Sequence, residues 1–247
     1  MNNTMLIGLS HQLALERAME VAANNVANVT TTGFKSRSAE FREYLMPGAR
    51  VEAARPSDRR LSYVVDAETP LDLSVGQIER TGNPLDVALR DENAFFAVQT
   101  SGGERYTRNG AFQLNAAGDL VTSDGYAVLS TAGPMRFAKS TREISIGTDG
   151  TISTEQGPSG KLRLVQFADP ERLVSAGSNL YRSSTPPRGA PAARLEVGAL
   201  ERSNVNPFTE LMQVSDIAGA YQTAAARITA LHDLMRTAIR RLADTTA

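Results

Sequence analysis

The chain has 247 residues, of which 41% are hydrophobic and 21% charged, a composition typical of a globular protein with a sizeable core. A net charge of −1 gives no basic surface of the kind that binds nucleic acid or anionic membranes. The sequence has no run of 18 apolar residues, so no membrane span is predicted. Cysteine is absent, which excludes disulfides and thiolate chemistry. The first residues lack a basic segment, and we expect no cleaved signal peptide.

The first 30 residues have the apolar spacing of a helix, with no proline and a single glycine, Gly8. On a helical projection the apolar residues form two stripes roughly 150° apart. The first stripe is Leu6, Leu9 and Leu13, and the second is Leu15, Met19, Ala22, Val26 and Val29. Two separated stripes predict a helix that is covered on two sides. Burial of the helix inside one globular domain is the alternative.

Residues 208–243 carry the clearest pattern in the chain. Asn206 as N-cap and Pro207 as the first helical residue mark its start. Apolar residues then alternate spacings of three and four over four heptads, as in a coiled coil: Val214, Ile217, Tyr221, Ala224, Ile228, Leu231, Met235, Ala238 and Leu242. The flanking residues are small or apolar where a two-stranded coil carries charges, which favours several neighbours around this helix. An amphipathic helix folded back on its own domain is the alternative.

The middle of the chain has the pattern of antiparallel β-structure. Asp124-Gly125 and Asp149-Gly150 are hairpin-turn dipeptides, and glycine and proline recur at short intervals over residues 82–203. Residues 36–80 have no clear period. We therefore predict an α+β fold. Residues 1–35 and 204–247 would form a discontinuous, coiled-coil-like helical polymerisation domain, 36–80 an extended connector and 81–203 a central antiparallel all-β domain.

The sequence offers no constellation of catalytic residues. Its two histidines, His11 and His232, lie in separate predicted helices and belong to no metal-binding motif. Neither a GxxxxGK[ST] phosphate loop nor a GxSxG nucleophile elbow is present. Asp86 lies close in sequence to Asp91 and Glu92, but loop carboxylates are usually solvated. We expect no enzyme activity, no metal, no cofactor and no small-molecule substrate.

Asn24, Asn25 and Asn28 form a polar cluster near the end of the first predicted helix. Asparagine is roughly 0.5–0.7 kcal/mol worse than alanine inside a helix, so three on one face require a reason. One interpretation is a fraying helix end that asparagine caps. The other is a set of buried amides that fixes helix register, as a core asparagine does in coiled coils.

Eight short stretches follow one another in a recognisable order. They are ANNVAN (23–28), TTTGFK (30–35), TGNPLDVAL (81–89), FFAVQ (95–99), YTRNGAF (106–112), GDLVT (118–122), GYAVL (125–129) and GALERSNVN (198–206). This series resembles the bacterial flagellar axial proteins, the family that builds the rod and the hook. The length and layout resemble the rod members, proximal ones first and distal ones next. The opening of the last helix departs from the family at Gly219.

The resemblance implies a structural subunit of the flagellar basal-body rod that stacks helically and transmits torque between motor and hook. It implies partners among copies of the chain and other rod proteins, export by the flagellar type III apparatus without a cleaved signal peptide, and a place in the periplasm. The two stripes, the heptad seam and the three asparagines would then be the subunit interface. A secreted β-rich binding module or enzyme with helical ends is the rival from another class.

Overall fold

The computed structural model describes residues 2–45, 62–138, 141 and 143–244. The described residues form one α-helix at each end and nineteen short strands between them, which confirms the predicted α+β class. Helix α1 spans Asn2–Ala27 and helix α2 spans Pro207–Asp244. Helix α2 begins at the predicted residue, because the missing N–H of a proline does no harm in the first turn.

The strands are mostly two to five residues long. They are β1 (Glu40–Leu45), β2 (Ser62–Glu68), β3 (Ile78–Arg80), β4 (Val87–Leu89), β5 (Ala94–Thr100), β6 (Gly103–Thr107), β7 (Phe112–Leu114), β8 (Leu120–Thr122), β9 (Ala127–Ser130), β10 (Gly133–Pro134), β11 (Ile144–Ile146), β12 (Thr151–Thr154), β13 (Gly157–Lys161), β14 (Leu164–Gln166), β15 (Val174–Ser175), β16 (Tyr181–Arg182), β17 (Arg188–Gly189), β18 (Leu195–Val197) and β19 (Ala199–Glu201).

The chain divides into two compact units. The helical unit comprises Met1–Val26, Arg37–Pro70 and Pro207–Ala247, and the β unit comprises Ala27–Ser36 and Leu71–Asn206. Strands β1 and β2 of the helical unit pair antiparallel within the predicted connector, whose residues 46–61 lie outside the described ranges. The structure thus groups residues 27–35 with the strands, whereas the sequence pattern grouped them with the helices.

A ten-stranded antiparallel sheet is the centre of the β unit. Its main path is β15-β16-β6-β5-β9-β8-β7, with β14 on the other edge of β5, β17 on β14 and β10 on β9. Smaller antiparallel sheets consist of β11-β12-β13, β18-β4 and β19-β3. The predicted turns at Asp124-Gly125 and Asp149-Gly150 join β8 to β9 and β11 to β12.

Strand β5 is buried on both faces of this sheet. Phe96 and Val98 belong to a large hydrophobic cluster that includes Phe112 and Ile152, while Phe95 and Ala97 belong to a second cluster with Tyr106 and Phe167. Because successive side chains of a strand point to opposite faces, a continuous apolar run is what such a central strand requires. Edge-to-face aromatic pairs hold both clusters, with ring centroids 5.1 Å apart for Phe96–Phe112 and 4.7 Å apart for Tyr106–Phe167.

Candidate subunit interface

Helices α1 and α2 pack against each other in the helical unit. Ala18, Ala22 and Ile217 are the buried residues of this contact. Leu15, Met19, Ala39 and Val214 pack around them. Nearer the start of α1, a Cβ placed on Gly8 would lie 3.1 Å from Cγ1 of Ile228. Contact residues with higher numbers in α1 therefore meet residues with lower numbers in α2, so the two helices are antiparallel.

The contact between the two helices leaves much apolar surface uncovered. Leu9 and Leu13 of the first predicted stripe are 49% and 57% exposed. Phe208, Leu211 and Met212, at the start of α2, are 79%, 54% and 69% exposed. Isolated surface leucines are ordinary, but clustered large apolar side chains at helical spacing indicate a binding surface.

The predicted interface residues therefore separate into three groups. Leu15, Met19, Ala22, Val214 and Ile217 pack within the chain. Among the others, Val26, Val29, Ala224, Ile228 and Met235 are half-buried, and Leu9, Leu13, Tyr221 and Ala238 are exposed. The side chains of Leu6, Leu231 and Leu242 lie outside what the structure describes. The structure does not confirm a coiled coil, since Ile217 is the one buried residue among the seam residues whose side chains are described.

The three asparagines of the predicted cluster differ in burial and in hydrogen bonding. The Asn25 side chain is 2% exposed, and its Nδ2 donates to the Arg37 carbonyl at 2.8 Å and to Glu210 Oε1 at 3.2 Å. Its Oδ1 accepts the Arg37 N–H at 3.1 Å. Asn28 is half-buried and accepts a hydrogen bond from the Thr31 hydroxyl at 3.0 Å, whereas Asn24 is exposed. Asn25 thus joins α1 to the start of α2 in the same chain.

A buried ion cluster in the β unit was not predicted from the sequence. Glu201 Oε1 lies 2.7 Å from Lys35 Nζ, and Glu201 Oε2 lies 2.8 Å from an Nη of Arg108. The side chains of all three residues are 0–1% exposed. Arg108 also donates to the carbonyls of Ala94 and Leu89 at 2.6 and 3.2 Å. Every charge is therefore paired or hydrogen-bonded, as burial demands.

The cluster contains two cations and one anion, and this excess of positive charge affects the pKa of Lys35. Burial is the largest cause that lowers the pKa of Lys35, and the nearby Arg108 guanidinium lowers it further. The ion pair with Glu201 opposes both effects. Hydrogen bonds to the carbonyls of Leu73 and Ser74 hold the ammonium group in place.

Three of the family-like stretches meet at this cluster. TTTGFK supplies Lys35, YTRNGAF supplies Arg108 and GALERSNVN supplies Glu201. The Gly33 N–H donates to the Glu201 carbonyl at 2.7 Å, with Gly33 at φ +65°. A Cβ there would lie 2.5 Å from the Arg108 carbonyl carbon, so only glycine fits. The Ser36 N–H donates to Asn204 Oδ1 at 2.8 Å, which joins the segment after α1 to the segment before α2.

The Asp86 carboxylate is buried, so the expectation that this loop carboxylate is solvated was wrong. Its two oxygens accept hydrogen bonds from the Thr81 hydroxyl at 2.6 Å and the Asn83 amide at 3.0 Å, which closes the TGNPLD turn. In the part of the chain that the structure describes, no three His, Asp or Glu side chains are grouped as metal ligands. None of the described helices has the length and apolar content to span a bilayer.

Family models match the chain in three places. The model described as "Flagella basal body rod protein" matches residues 5–35. The one described as "Flagellar hook protein FlgE/F/G D1 domain" matches residues 91–154. The one described as "Flagellar basal body rod FlgEFG protein C-terminal" matches residues 196–241. These matches contain all but one of the predicted interface residues, together with Lys35, Arg108 and Glu201, and end one residue short of Leu242.

Similarity to curated proteins extends over the whole chain. The flagellar basal-body rod protein FlgF of Caulobacter vibrioides is 34% identical over 246 residues, with 98% of each chain covered. The chain belongs to the flagellar basal-body rod protein family. FlgF of Rhizobium meliloti is 34% identical with 92% of each chain covered, and FlgG of Bacillus subtilis is 30% identical with 96% of this chain and 97% of that protein covered.

The rod family consists of structural proteins, and this membership confirms the prediction that the chain is not an enzyme. It also confirms the resemblance to rod members, with FlgF proteins ahead of FlgG proteins in similarity. The motifs contain the three members of the ion cluster, but no local pattern indicates that these residues pair. Lys35 is the one charged residue of TTTGFK and Arg108 is the one charged residue of YTRNGAF, whereas Glu201 stands beside Arg202 in GALERSNVN.

Proposed function

We propose that the chain is a structural subunit of the flagellar basal-body rod that assembles helically and transmits torque between the motor and the hook. The observation that carries the proposal is the contrast between the two units. The β unit buries most of its large apolar side chains in two clusters, and Leu114 and Val174 are the exposed ones among its described residues. The helical unit leaves more of them exposed, namely Leu9, Leu13, Phe208, Leu211, Met212, Tyr221 and Leu234. A subunit whose partners are other subunits keeps such a surface uncovered until assembly.

Assembly would cover the exposed faces of the paired terminal helices. The proposed partners are copies of the chain and other rod proteins, since Leu15, Met19 and Ala22 of the second predicted stripe already pack inside the chain. Neighbouring helices would complete coiled-coil-like packing along the seam from Val214 to Leu242. Torque would pass through packed side chains, since close-packed interiors are stiff.

The periplasmic part of the rod is the proposed location, and the flagellar type III apparatus is the proposed export route, without a cleaved signal peptide. A chain without cysteine supports this route, because it forms no disulfides in an oxidising space. Exposed helices of marginal stability suit a subunit that passes an export channel unfolded and then folds on docking.

The alternative within the family is a distal rod or hook-type axial protein. FlgG proteins align over nearly the same length as FlgF proteins, so length does not separate the two. The rival reading as a secreted β-rich binding module or enzyme has no support in the family matches.

A complementation experiment tests the proposal. In a strain that lacks the chain, we expect Ile228→Asp to fail to restore motility, because it places a carboxylate against Gly8 in the helix contact. Gln222→Asp adds the same charge at an exposed position of α2 and should restore swimming. Equal amounts of both variants must be present in the cells. Full motility of the Ile228→Asp strain, or of the strain without the chain, contradicts the proposed role.

A further inference from the structure

Five of the exposed large apolar side chains of the helical unit form two patches at different heights along the helix pair, and Tyr221 and Leu234 of α2 are exposed outside them. The α1 patch consists of Leu9 and Leu13, and the α2 patch consists of Phe208, Leu211 and Met212. Gly8 lies level with Ile228, and Asn25 lies level with Glu210. The α1 patch is therefore level with residues near 225 of α2. At 1.5 Å per residue, the two patches are about 20 Å apart along the axis.

The helix pair also has opposite charges at its two ends. The acidic end, residues 14–27 with 207–220, carries the carboxylates of Glu16, Glu20, Glu210 and Asp216 against one arginine, Arg17. The basic end, residues 2–13 with 221–244, carries four arginines against two aspartates: Arg227, Arg236, Arg240 and Arg241 against Asp233 and Asp244. Glu16, Asp216, Arg236 and Arg240 are exposed to solvent.

We propose that the occupant of the α2 patch is the α1 patch of a second copy of this chain, shifted about 20 Å along the helix axis in the same orientation. This inference rests on the proposed function and specifies its contact. The same shift places the basic end of the second copy beside residues near 217 of the first, within the acidic end. Apolar and charged complementarity therefore require one and the same displacement.

Charge also selects the orientation of the second copy. A two-fold rotation would bring the same apolar patches together, but it would set the acidic end of one copy against the acidic end of the other. Like charges face to face are unfavourable at an interface. The parallel arrangement joins two different patches, so each copy keeps one patch free for the next and the contact propagates as an open polymer.

Cysteine cross-linking in basal bodies tests this contact, because the natural chain contains no cysteine. Leu13→Cys and Met212→Cys are made in separate, differently tagged copies that are expressed together. We expect a disulfide-linked species that carries both tags. Glu155→Cys, at an exposed turn of the β unit, replaces Met212→Cys in the control and should yield none. A cross-link between two Leu13→Cys copies, or only to a different rod protein, overturns the proposal.

Charge reversal separates the parallel from the two-fold arrangement. Arg236→Glu with Arg240→Glu should lower the Leu13–Met212 cross-link yield about tenfold, and Glu16→Lys with Asp216→Lys should do the same. All four changes together should restore the yield. Arg188→Glu, an exposed arginine of the β unit, is the matched control. If the acidic reversal alone raises the yield, the copies are related by a two-fold axis and the proposal fails.

Different results contradict the proposed function and the proposed contact between copies. Basal bodies that form without the chain contradict the role in the rod. Basal bodies that contain the chain without a Leu13–Met212 cross-link leave that role intact and overturn only the parallel contact between copies.

Discussion

Glu201 neutralises charge in the middle of the β unit. It pairs with Lys35 and Arg108 and also accepts the N–H of Gly76 at 3.0 Å. Replacement of one partner in a buried ion pair leaves the remaining charge unpaired, which costs more than the pair itself contributes.

Glu201→Gln should therefore lower the free energy of unfolding by about 3–5 kcal/mol, measured by urea denaturation. The matched control is Glu79→Gln, which removes an exposed carboxylate that pairs at 2.7 Å with Arg202, the residue after β19. Surface pairs contribute about 0–1 kcal/mol, so the control should change stability little. Equal effects of the two substitutions would show that the buried cluster has no special role.

Lys35 makes the stability of the β unit depend on pH. Its pKa is lowered in the folded chain, first by burial and then by Arg108, and returns to about 10.4 on unfolding. Between these two pKa values the unfolded chain binds more protons than the folded chain. The free energy of unfolding therefore rises with pH across that window. Below the window both states carry the charge, and the full cost of burying it is present.

Lys35→Met should abolish this rise and should destabilise the chain less than Glu201→Gln, because one cation and one anion remain. Urea denaturation of both proteins across the alkaline range measures the difference. Tyr106, whose pKa is raised by burial and Glu104 to about 12, acts with the opposite sign above its ordinary pKa of 10.0. Its effect is common to both proteins and cancels when they are compared. A parallel pH dependence of the two proteins would contradict the assignment to Lys35.

Sequence patterns could not reveal this cluster, because its members are far apart in the chain. Lys35 and Glu201 are separated by 166 residues, and Arg108 and Glu201 by 93. Spacing and periodicity report local structure, and they predicted the turn at Asp124-Gly125 and the start of α2 correctly. Pairing across the chain depends on how the segment after α1, the end of β6 and strand β19 come together, which no local pattern contains.

At the scale of elements, the two terminal helices bury little. Helix α2 has 38 residues, yet Ile217 is its one buried residue among those whose side chains are described. A helix in water depends mostly on tertiary packing for its stability, so this one should be marginal in a free subunit. Strand β5, by contrast, has both faces covered.

Hydrogen exchange on the free monomer should therefore show fast exchange over residues 221–240 and slow exchange over Ala94–Val98. The expected difference reflects local opening of the helix without opening of the β unit. The comparison requires a sample shown to be monomeric by sedimentation. Protection of α2 equal to that of β5 would mean that the helix pair is stable without partners.

The heptad pattern predicted that α2 is a helix, but not which residues of the seam are covered. Ile217 packs against α1, whereas Tyr221, one turn later, is 42% exposed. The asparagines show the same limit, since Asn25 is buried and its neighbour Asn24 is exposed. The rotation of α1 is set by the hydrogen bonds of Asn25 to Arg37 and Glu210, which are tertiary contacts.

At the scale of the whole molecule, family membership places the chain among the structural proteins of the basal-body rod. The β unit supplies a stably packed body, and its buried cluster fixes the segments that lead into both terminal helices. The helical unit supplies surfaces that one chain leaves exposed. We therefore expect assembly, and not chemistry, to be the role of the molecule.

Electron microscopy of basal bodies isolated from a strain that lacks the chain tests this account most directly. We predict that the rod is absent or truncated, that no hook follows it, and that expression of the natural chain restores both. Basal bodies with rods of full length and attached hooks in the strain without the chain would contradict the account.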